Sequence, residues 1–595
     1  MRRPQLSISA IAIAAMWVAA CATTKPTPKV VTPAEQPDVL KPQTSFPSQA
    51  ELTSLLQATE EVPPLVLPDV DDHARFAVSA LPMEAGHKAS PTTRAQKLAQ
   101  EAVPSLQLTE AGQCLVRHAM ALKGKKPATT LTKRTTQFLM GLCGAQAPTA
   151  NFMSFGGKVP AKVPDDEIFK QWAGDFQKFM KSANLTSRDE VGLTFTRIGD
   201  HAEFLAVRMR PLATLQVYKR AADDAGDVHI EGEVLPAAGV ARLKEVVMLV
   251  NKGAYEVAYC RMDDVPLPRF SAHCPVDVND DLAELEGVLL EEGRVMSTVF
   301  MRTMLRPSGK EVTEFSPFQY VAELPDDDGR GVNALFVEGV NQVRAKLSRS
   351  ALSFQPKQSD VFNKAAGPFF HDVLLGKLDK NVADKLTLGL LAGWDVEGAA
   401  IRSGEISWVY GFGLQASPAQ LVNRSLSMPT ARRVLLNPDT NTMAVGTVQD
   451  AKSKMSAVVF AGWATFGERD VDDERAQIEK SLLTARGDGS GSVGKLARAE
   501  RVMTEAAQRL EAGEHLDVIV QSSINRAAQA EQQNLHGQVF VVRDFKDIPW
   551  PAKFKNAKSV DMGVGVAVYK PDGASWSVYV VFIAAKLPQG MVAMR

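Results

Sequence analysis

The chain has 595 residues, too many for one hydrophobic core, and a prior of about 100 to 200 residues per domain gives roughly three to five units. Hydrophobic residues make up 45% and charged residues 23%, ordinary globular values, while 67 basic against 68 acidic side chains leave a formal charge of −1. No Lys/Arg-rich run or aromatic stacking motif supplies the concentrated basic face that phosphate backbones need, so nucleic acid is excluded from the expected partners.

At the N-terminus, Arg2 and Arg3 form a positive n-region, an apolar run extends from Leu6 to Ala20, and Val18-Ala19-Ala20-Cys21 closes the segment. The run falls short of the about 20 residues that a comfortable membrane span needs. This pattern resembles a bacterial lipobox. The resemblance implies that residues 1–20 are a signal peptide and that the Cys21 thiol is acylated, palmitate included, as the mature N-terminus. An ordinary secretory signal with a cysteine beside its cleavage site is the other reading. Several acyl chains hold a protein to a membrane far better than one. Ala22 rather than Asp follows the cysteine, which in the best-known lipoprotein sorting rule implies the outer membrane. Residues 21–95 read as a lipidated tether and irregular segment. TTKPTPKVVTPAEQPDVLKPQTSFP cannot bury enough apolar surface to offset its ordering, and a single helix is expected near Glu51 to Ala58.

Export into an oxidising envelope leaves four further cysteines, and sequence proximity pairs Cys114 with Cys143 and Cys260 with Cys274. The second bridge closes a loop of about 15 residues, worth roughly 3 kcal/mol in the chain-entropy model. Zinc is the competing reading, but no CxxC pair exists and His273 is a lone neighbour of Cys274. His118 follows Cys114 by four residues, a spacing that puts two ligands on one helical face, but Cys114 has its disulfide partner.

Residues 96–212 read as a helical plus β-hairpin module. LTEAGQCLVRHAMALKG and TLTKRTTQFLMGLCG carry helical periodicity, Thr109 offers a cap, and Gly124 and Gly144 offer stops. The helix DDEIFKQWAGDFQKFMKSAN then precedes a strand pair turning at Gly199-Asp200. Residues 213–330 change to short alternating strands with no convincing helix before the acidic DDLAELEGVLLEEG, the pattern of an antiparallel, immunoglobulin-like β-sandwich. Helical periodicity returns at VNALFVEGVNQVRAKLSRSAL, and strands close that unit, 331–470, near Phe466. The acidic, turn-rich GERDVDDERAQ introduces a C-terminal α/β module, 471–595.

VGLTFTRIGDHAEFLAVRMR, MAVGTVQDAKSKMSAVVFAGW and MGVGVAVYKPDGASWSVYVVFIA each place an apolar residue before glycine, then a polar turn, then an alternating strand, and each follows a helical stretch. Repetition of one module and hairpin chemistry alone both account for this.

In the unit 331–470, four segments stand in order: Asn341-Gln342-Val343-Arg344, Gly404-Glu405-Ile406, MPTARR (428–433) and NTMAVG (441–446). They resemble the CAP superfamily of secreted proteins, which includes cysteine-rich secretory proteins, antigen 5 and plant pathogenesis-related proteins. The segments match that family's N-x-x-R, G-E-N-I, S-P-G-H-R and glycine-bearing strand entry. The resemblance implies an α/β/α sandwich, for which 96–212 is a further candidate, and a cleft in which two histidines and acidic residues hold a divalent metal. Here Ala431 stands where the second histidine belongs, Ser425 replaces a tryptophan, Ile406 replaces the asparagine, and His371 in GPFFHDVLL does not align with the first histidine. Zinc needs several converging donors, and alanine supplies none. A degenerate member follows, with at most a remnant cleft of Glu405, His371 and Arg432, no catalytic residue and no metal.

No G-x-S-x-G elbow, H-E-x-x-H, Walker loop or dinucleotide fingerprint occurs. GDGSGSVG (487–494) reads as a flexible linker, and DVNDD and PDDDG as solvated turns lacking the full spacing of a calcium loop. The expected fold is α+β multidomain: a degenerate CAP-like α/β/α sandwich preceded by an antiparallel β-sandwich, with flanking helix-plus-hairpin modules. The expected function is that of a non-catalytic, cofactor-free protein of the bacterial envelope, anchored in the membrane through Cys21 and binding peptidoglycan, lipid or another envelope protein. A hydrolase using Glu405 with His371, zinc-dependent or otherwise, and a structural spacer are the alternatives.

Overall fold

A computed structural model describes residues 46–58, 76–77, 84–85 and 88–587, except 124–132, 146, 148–149, 184, 187, 237–241, 293–296, 311–313, 316–318, 326–330, 376–379, 398–399, 413–416, 451–454, 468, 488–490 and 572–573. Cys21, the signal-like segment, nearly all of the tether, Gly124 and most of PDDDG lie outside the described residues. The chain divides into two compact units. The first holds Leu52–Leu390 and Ile406–Gly462, and the second holds Leu391–Glu405 and Trp463–Arg595. Among the described residues there are 14 α-helices and five four-stranded sheets, an α+β multidomain fold.

After α1 (Gln49–Ala58) and the two-residue strands β1 (Phe76–Ala77) and β2 (Glu84–Ala85), the first layered module begins with α2 (Arg94–Ala102). Thr93 and Gln96 form a capping box at its start, each side chain satisfying a backbone N–H of the other. Then follow β3 (Gln107–Leu108), α3 (Glu110–Lys123), α4 (Lys133–Cys143), β4 (Ala150–Lys158), α5 (Asp165–Ser182), β5 (Glu190–Ile198) and β6 (His201–Met209). Thr109 caps α3 as expected, its hydroxyl accepting from Gly112 N at 3.1 Å. Gly199, at φ 64°, makes the expected turn between β5 and β6. The sheet order is β3-β5-β6-β4, with β3 parallel to β5 and the other pairings antiparallel.

The strands β7 (Ala213–Leu215), β8 (Tyr218–Lys219), β9 (Asp227–Val234), β10 (Leu243–Lys252), β11 (Glu256–Tyr259), β12 (Arg261–Met262), β13 (Arg269–Pro275), β14 (Ala283–Glu291), β15 (Thr298–Leu305) and β16 (Glu314–Phe315) follow. They include the sheets β11-β10-β14-β15 and β12-β13-β9-β7, which share a core of Val228, Ile230, Met248, Val250, Leu285 and Phe300. This is the expected sandwich. The acidic DDLAELEGVLLEEG is not a break in it but its strand β14. Leu285 and Leu289 face the core, and the buried Glu286 is neutralised by Arg302 on β15 at 2.7 Å.

The next module contains α6 (Val332–Lys346), β17 (Ser353–Phe354), α7 (Pro356–Leu375), α8 (Lys380–Ala392), β18 (Ile401–Phe412), α9 (Pro418–Ser427), α10 (Pro429–Leu435), β19 (Thr442–Asp450) and β20 (Met455–Thr465). The last contains α11 (Val471–Ala485), β21 (Ser492–Lys495), α12 (Ala497–Glu511), α13 (Leu516–Glu531), β22 (His536–Val542), α14 (Ala552–Lys555), β23 (Ser559–Tyr569) and β24 (Val578–Lys586). Two readings change here. VDDERAQ is no turn-rich spacer but the start of α11, where Asp470 caps and Asp472, Asp473 and Glu474 oppose the positive end of the helix. Part of the supposed linker, Ser492–Gly494, pairs in β21 with β23.

The three layered modules repeat one element order: helix, short strand, two helices, edge strand, one or two helices, hairpin. Their sheets also share one spatial order, β3-β5-β6-β4, β17-β19-β20-β18 and β21-β23-β24-β22, with the short strand parallel to its neighbour each time. The glycines of the three similar hairpins have a common cause. A Cβ at Gly192 would strike Gly112 of α3, one at Gly446 would strike Phe362 of α7, and one at Gly565 would strike Met503 of α12, in each case on backbone atoms. The glycines let a helix lie directly on strand backbone.

Gly565→Ala is therefore expected to destabilise the protein by about 1–3 kcal/mol through overpacking. Gly174→Ala, on α5 with open space where its Cβ would stand, should instead gain up to about 1 kcal/mol from helix propensity. Chemical unfolding of both variants checks the contrast.

Candidate functional site

Asn341 and Arg344 project from α6 into structural duties. Asn341 holds Leu352, at the entry to β17, by donating to its carbonyl at 3.0 Å and accepting from its N–H at 2.7 Å. Arg344 is fully buried and donates to the carbonyls of Ser350 (2.8 Å), Leu435 (3.0 Å), Asn437 (2.9 Å) and Thr440 (2.7 Å). The last three close the end of α10 and the loop into β19, where helix-end carbonyls lack partners of their own. Burial lowers the Arg344 guanidinium to about 10.

MPTARR forms the start of α10 and lies against the sandwich. Ala431 is fully buried in one cluster with Val434, Leu435 and Val422, and Ser425 turns its hydroxyl onto the Leu421 carbonyl at 2.8 Å. Arg432 is 3% exposed. It donates to the helix-end carbonyl of Leu426 at 2.6 Å, to Gly253 and Glu256 of the sandwich at 3.3 Å each, and to the Tyr320 hydroxyl. Asn251 donates to the Ser427 carbonyl at 3.0 Å, and Glu286 accepts from Thr430 N at 3.3 Å. Burial pushes Arg432 down and pushes the Tyr320 hydroxyl and the Glu284 carboxyl up, so the charged group survives here through its hydrogen bonds. Arg432 is thus a docking residue between module and sandwich, not a wall of an open cleft.

Glu405 lies on β18 in the second compact unit, whereas Arg432 belongs to the first. His371 falls within α7, and its side chain is outside the described ones. Both expected disulfides are formed: Cys114–Cys143 joins α3 to α4, and Cys260–Cys274 joins the residue just before β12 to β13. His118 stands beside the first bridge, 6% exposed, its imidazole lowered by burial and by Arg117. DVNDD behaves as a turn: Asp277 accepts from Asn279 N at 2.9 Å, and Asp280 accepts from Gly253 N at 2.7 Å.

Sequence reasoning missed two groupings. On the face of β9 and β13 away from the core, His229 stands directly opposite His273, and their rings stack at 4.4 Å. Asp263 lies 3.3 Å from His273 Nε2, and Ser271 Oγ lies 3.0 Å from His229 Nε2. The histidines are far apart in sequence. Only the strand alternation of VHIEGEV and RFSAHCP signalled that each points away from the core. The second grouping is Asp189 beside Glu190, two adjacent carboxyls driven in opposite directions. Burial would raise Asp189, but hydrogen bonds from Arg210 (2.9 Å) and Thr186 (2.8 Å), with the charge of Arg208, hold it at about 2. Glu190 is pushed up to about 7 by burial, against the pull of Lys88.

No protein-family model matches the chain. No curated protein matches it. Among solved structures, Na-ASP-1, a CAP-family protein, aligns with 11% identity over 64% of this chain and 92% of its own, at a TM-score of 0.16. An alignment at that score defines no shared fold.

Arg432→Met should cost about 3 kcal/mol or more in chemical unfolding, because several buried carbonyls lose a charged donor at once. For Glu190, the folded state holds the proton more tightly than the unfolded chain at 4.5. Its contribution is fully present below pH 4.5 and is lost as pH rises through about 7. Glu190→Gln should therefore match the parent at pH 4 and exceed it by up to about 3 kcal/mol at pH 8, measured by unfolding at the two pH values.

Proposed function

We propose that this is a lipid-anchored protein of the bacterial envelope, built on three CAP-like modules, that recognises an envelope partner and catalyses nothing. The observation that carries the reading is the state of MPTARR. The family's histidine position is a core alanine, and the neighbouring Arg432 is consumed by carbonyls of the sandwich. A segment that converges donors on a cation in intact members serves packing here. The sequence supports the anchor through the n-region, the apolar run and Cys21. The tether that follows has the composition of an extended linker, able to hold the folded body away from a membrane surface. Peptidoglycan, lipid and envelope protein remain the partner classes.

One expression experiment addresses both halves. The full chain should fractionate with the outer membrane and carry acyl groups, and Cys21→Ala should abolish both; an unacylated parent ends the anchor reading. The purified parent should be retained on peptidoglycan sacculi, lipid vesicles or an envelope-protein fraction without converting them. Turnover lost in Glu405→Ala or His371→Ala would establish a hydrolase instead, and retention on none of the three would leave a spacer.

A further inference from the structure

We propose that the outer face of the sandwich binds a divalent late first-row transition cation through His229, His273 and Asp263, with Glu231 in reach. This inference is independent of the anchor and of the CAP-like modules.

The pairing of β9 with β13 sets His229 opposite His273 and Glu231 opposite Ser271, so all four side chains share one face. The imidazoles stack with centroids 4.4 Å apart and planes 10° from parallel, so the two rings lie side by side and must turn toward each other for both Nε2 lone pairs to meet one ion. His273 Nε2 is 3.3 Å from Asp263, and His229 Nε2 is 3.4 Å from Glu231. The candidate ligand atoms of His229, His273 and Asp263 all lie within 4.8 Å of one another. Tetrahedral zinc with bonds near 2.0–2.2 Å separates its ligand atoms by roughly 3.3 Å. Side-chain rotation alone can close that difference.

The frame that carries these groups is stiff. Cys274, next to His273, faces the core and is bonded to Cys260, which immediately precedes β12. Asp263 follows β12 and donates its N–H to the Ser271 carbonyl at 3.0 Å. Ser271 donates its hydroxyl to the Asp263 carboxylate at 2.5 Å, an outer partner that orients the ligand. The same bond points that hydroxyl away from His229 as a base, which disfavours a serine nucleophile. Two imidazoles with one carboxylate suit Zn²⁺, Cu²⁺ or Ni²⁺, whereas Ca²⁺ and Mg²⁺ take oxygen. Asp223, near enough to act on His273, adds negative charge, and Arg261, opposite His273 on β12 and near enough to act on Asp263, offsets part of it. The histidine side chains are 43% and 26% exposed, so water can complete the coordination and the ion can exchange.

The test titrates metal-free, purified full-length chain with Zn²⁺ by calorimetry and with Cu²⁺ by electron paramagnetic resonance. The parent should take up one equivalent of Zn²⁺, and its Cu²⁺ spectrum should show coupling to two imidazole nitrogens. His229→Ala and His273→Ala should each weaken binding by more than about tenfold, the lower bound for losing even an outer partner, and leave one coupled nitrogen. Asp263→Asn should weaken binding with both nitrogens retained, and His201→Ala should change nothing. Circular dichroism confirms that each variant is folded, and Asp263→Asn serves if a histidine variant is not. Parent-like affinity and coupling after removal of either imidazole, or of the carboxylate, would overturn the proposal, as would a parent that binds no equivalent.

Discussion

A helix lying on bare strand backbone is the constraint on which each layered module depends. Val191, Met443 and Met562 occupy one equivalent position, each opposite the last residue of its short parallel strand, Leu108, Phe354 and Lys495. Gly192 and Gly563 come next and meet the third residues of α3 and α12, Gly112 and Ala499. Gly446 and Gly565 stand two places further and meet the seventh residues of α7 and α12, Phe362 and Met503. Two strand residues span about 6.6 Å and four helix residues about 6 Å, so the contact slides by one turn without changing the crossing. Any side chain at the chosen position would lift the helix off the sheet and open the core beneath it.

The sandwich is joined to both of its neighbours in the first unit by polar bonds to backbone. Arg220, fully buried, donates to the Leu142 carbonyl at the end of α4, and Thr303 donates to Gly141 at 3.3 Å. On the other side Arg432 reaches from α10 to Gly253 and Glu256. Arginine suits the Arg432 position because one rigid fork satisfies several carbonyls at once, which a lysine ammonium on a flexible stem does less well. The same chemistry holds inside the module at Arg344, which donates to four backbone carbonyls. The carbonyls at a helix end have no partner within the helix and need donors from elsewhere.

Much of the local structure was legible because it depends on neighbours in sequence. The cap at Thr109, the turn at Gly199, the long helices and the two nearest-neighbour disulfides are all of this kind. The errors share a cause too. The acids of DDLAELEGVLLEEG suggested helix, but Glu286 is made tolerable in a strand by Arg302 on the next strand, a partner no local pattern displays. VDDERAQ looked like a spacer because charges at a helix start resemble charges in a turn. GDGSGSVG looked like a linker because glycine-rich sequence permits flexibility, while pairing with β23 removes it from Ser492 onward.

By itself the sequence determined most of the helices and strands, the cap at Thr109, the turn at Gly199 and the two nearest-neighbour disulfides, since each is written in residue type and short-range spacing. Only the tertiary structure decided that three hairpins belong to one repeated sheet topology, that Arg432 is spent on the sandwich, and that His229 meets His273. Those depend on strand register and on packing between distant segments. A one-residue slip in register would turn each histidine to the opposite face.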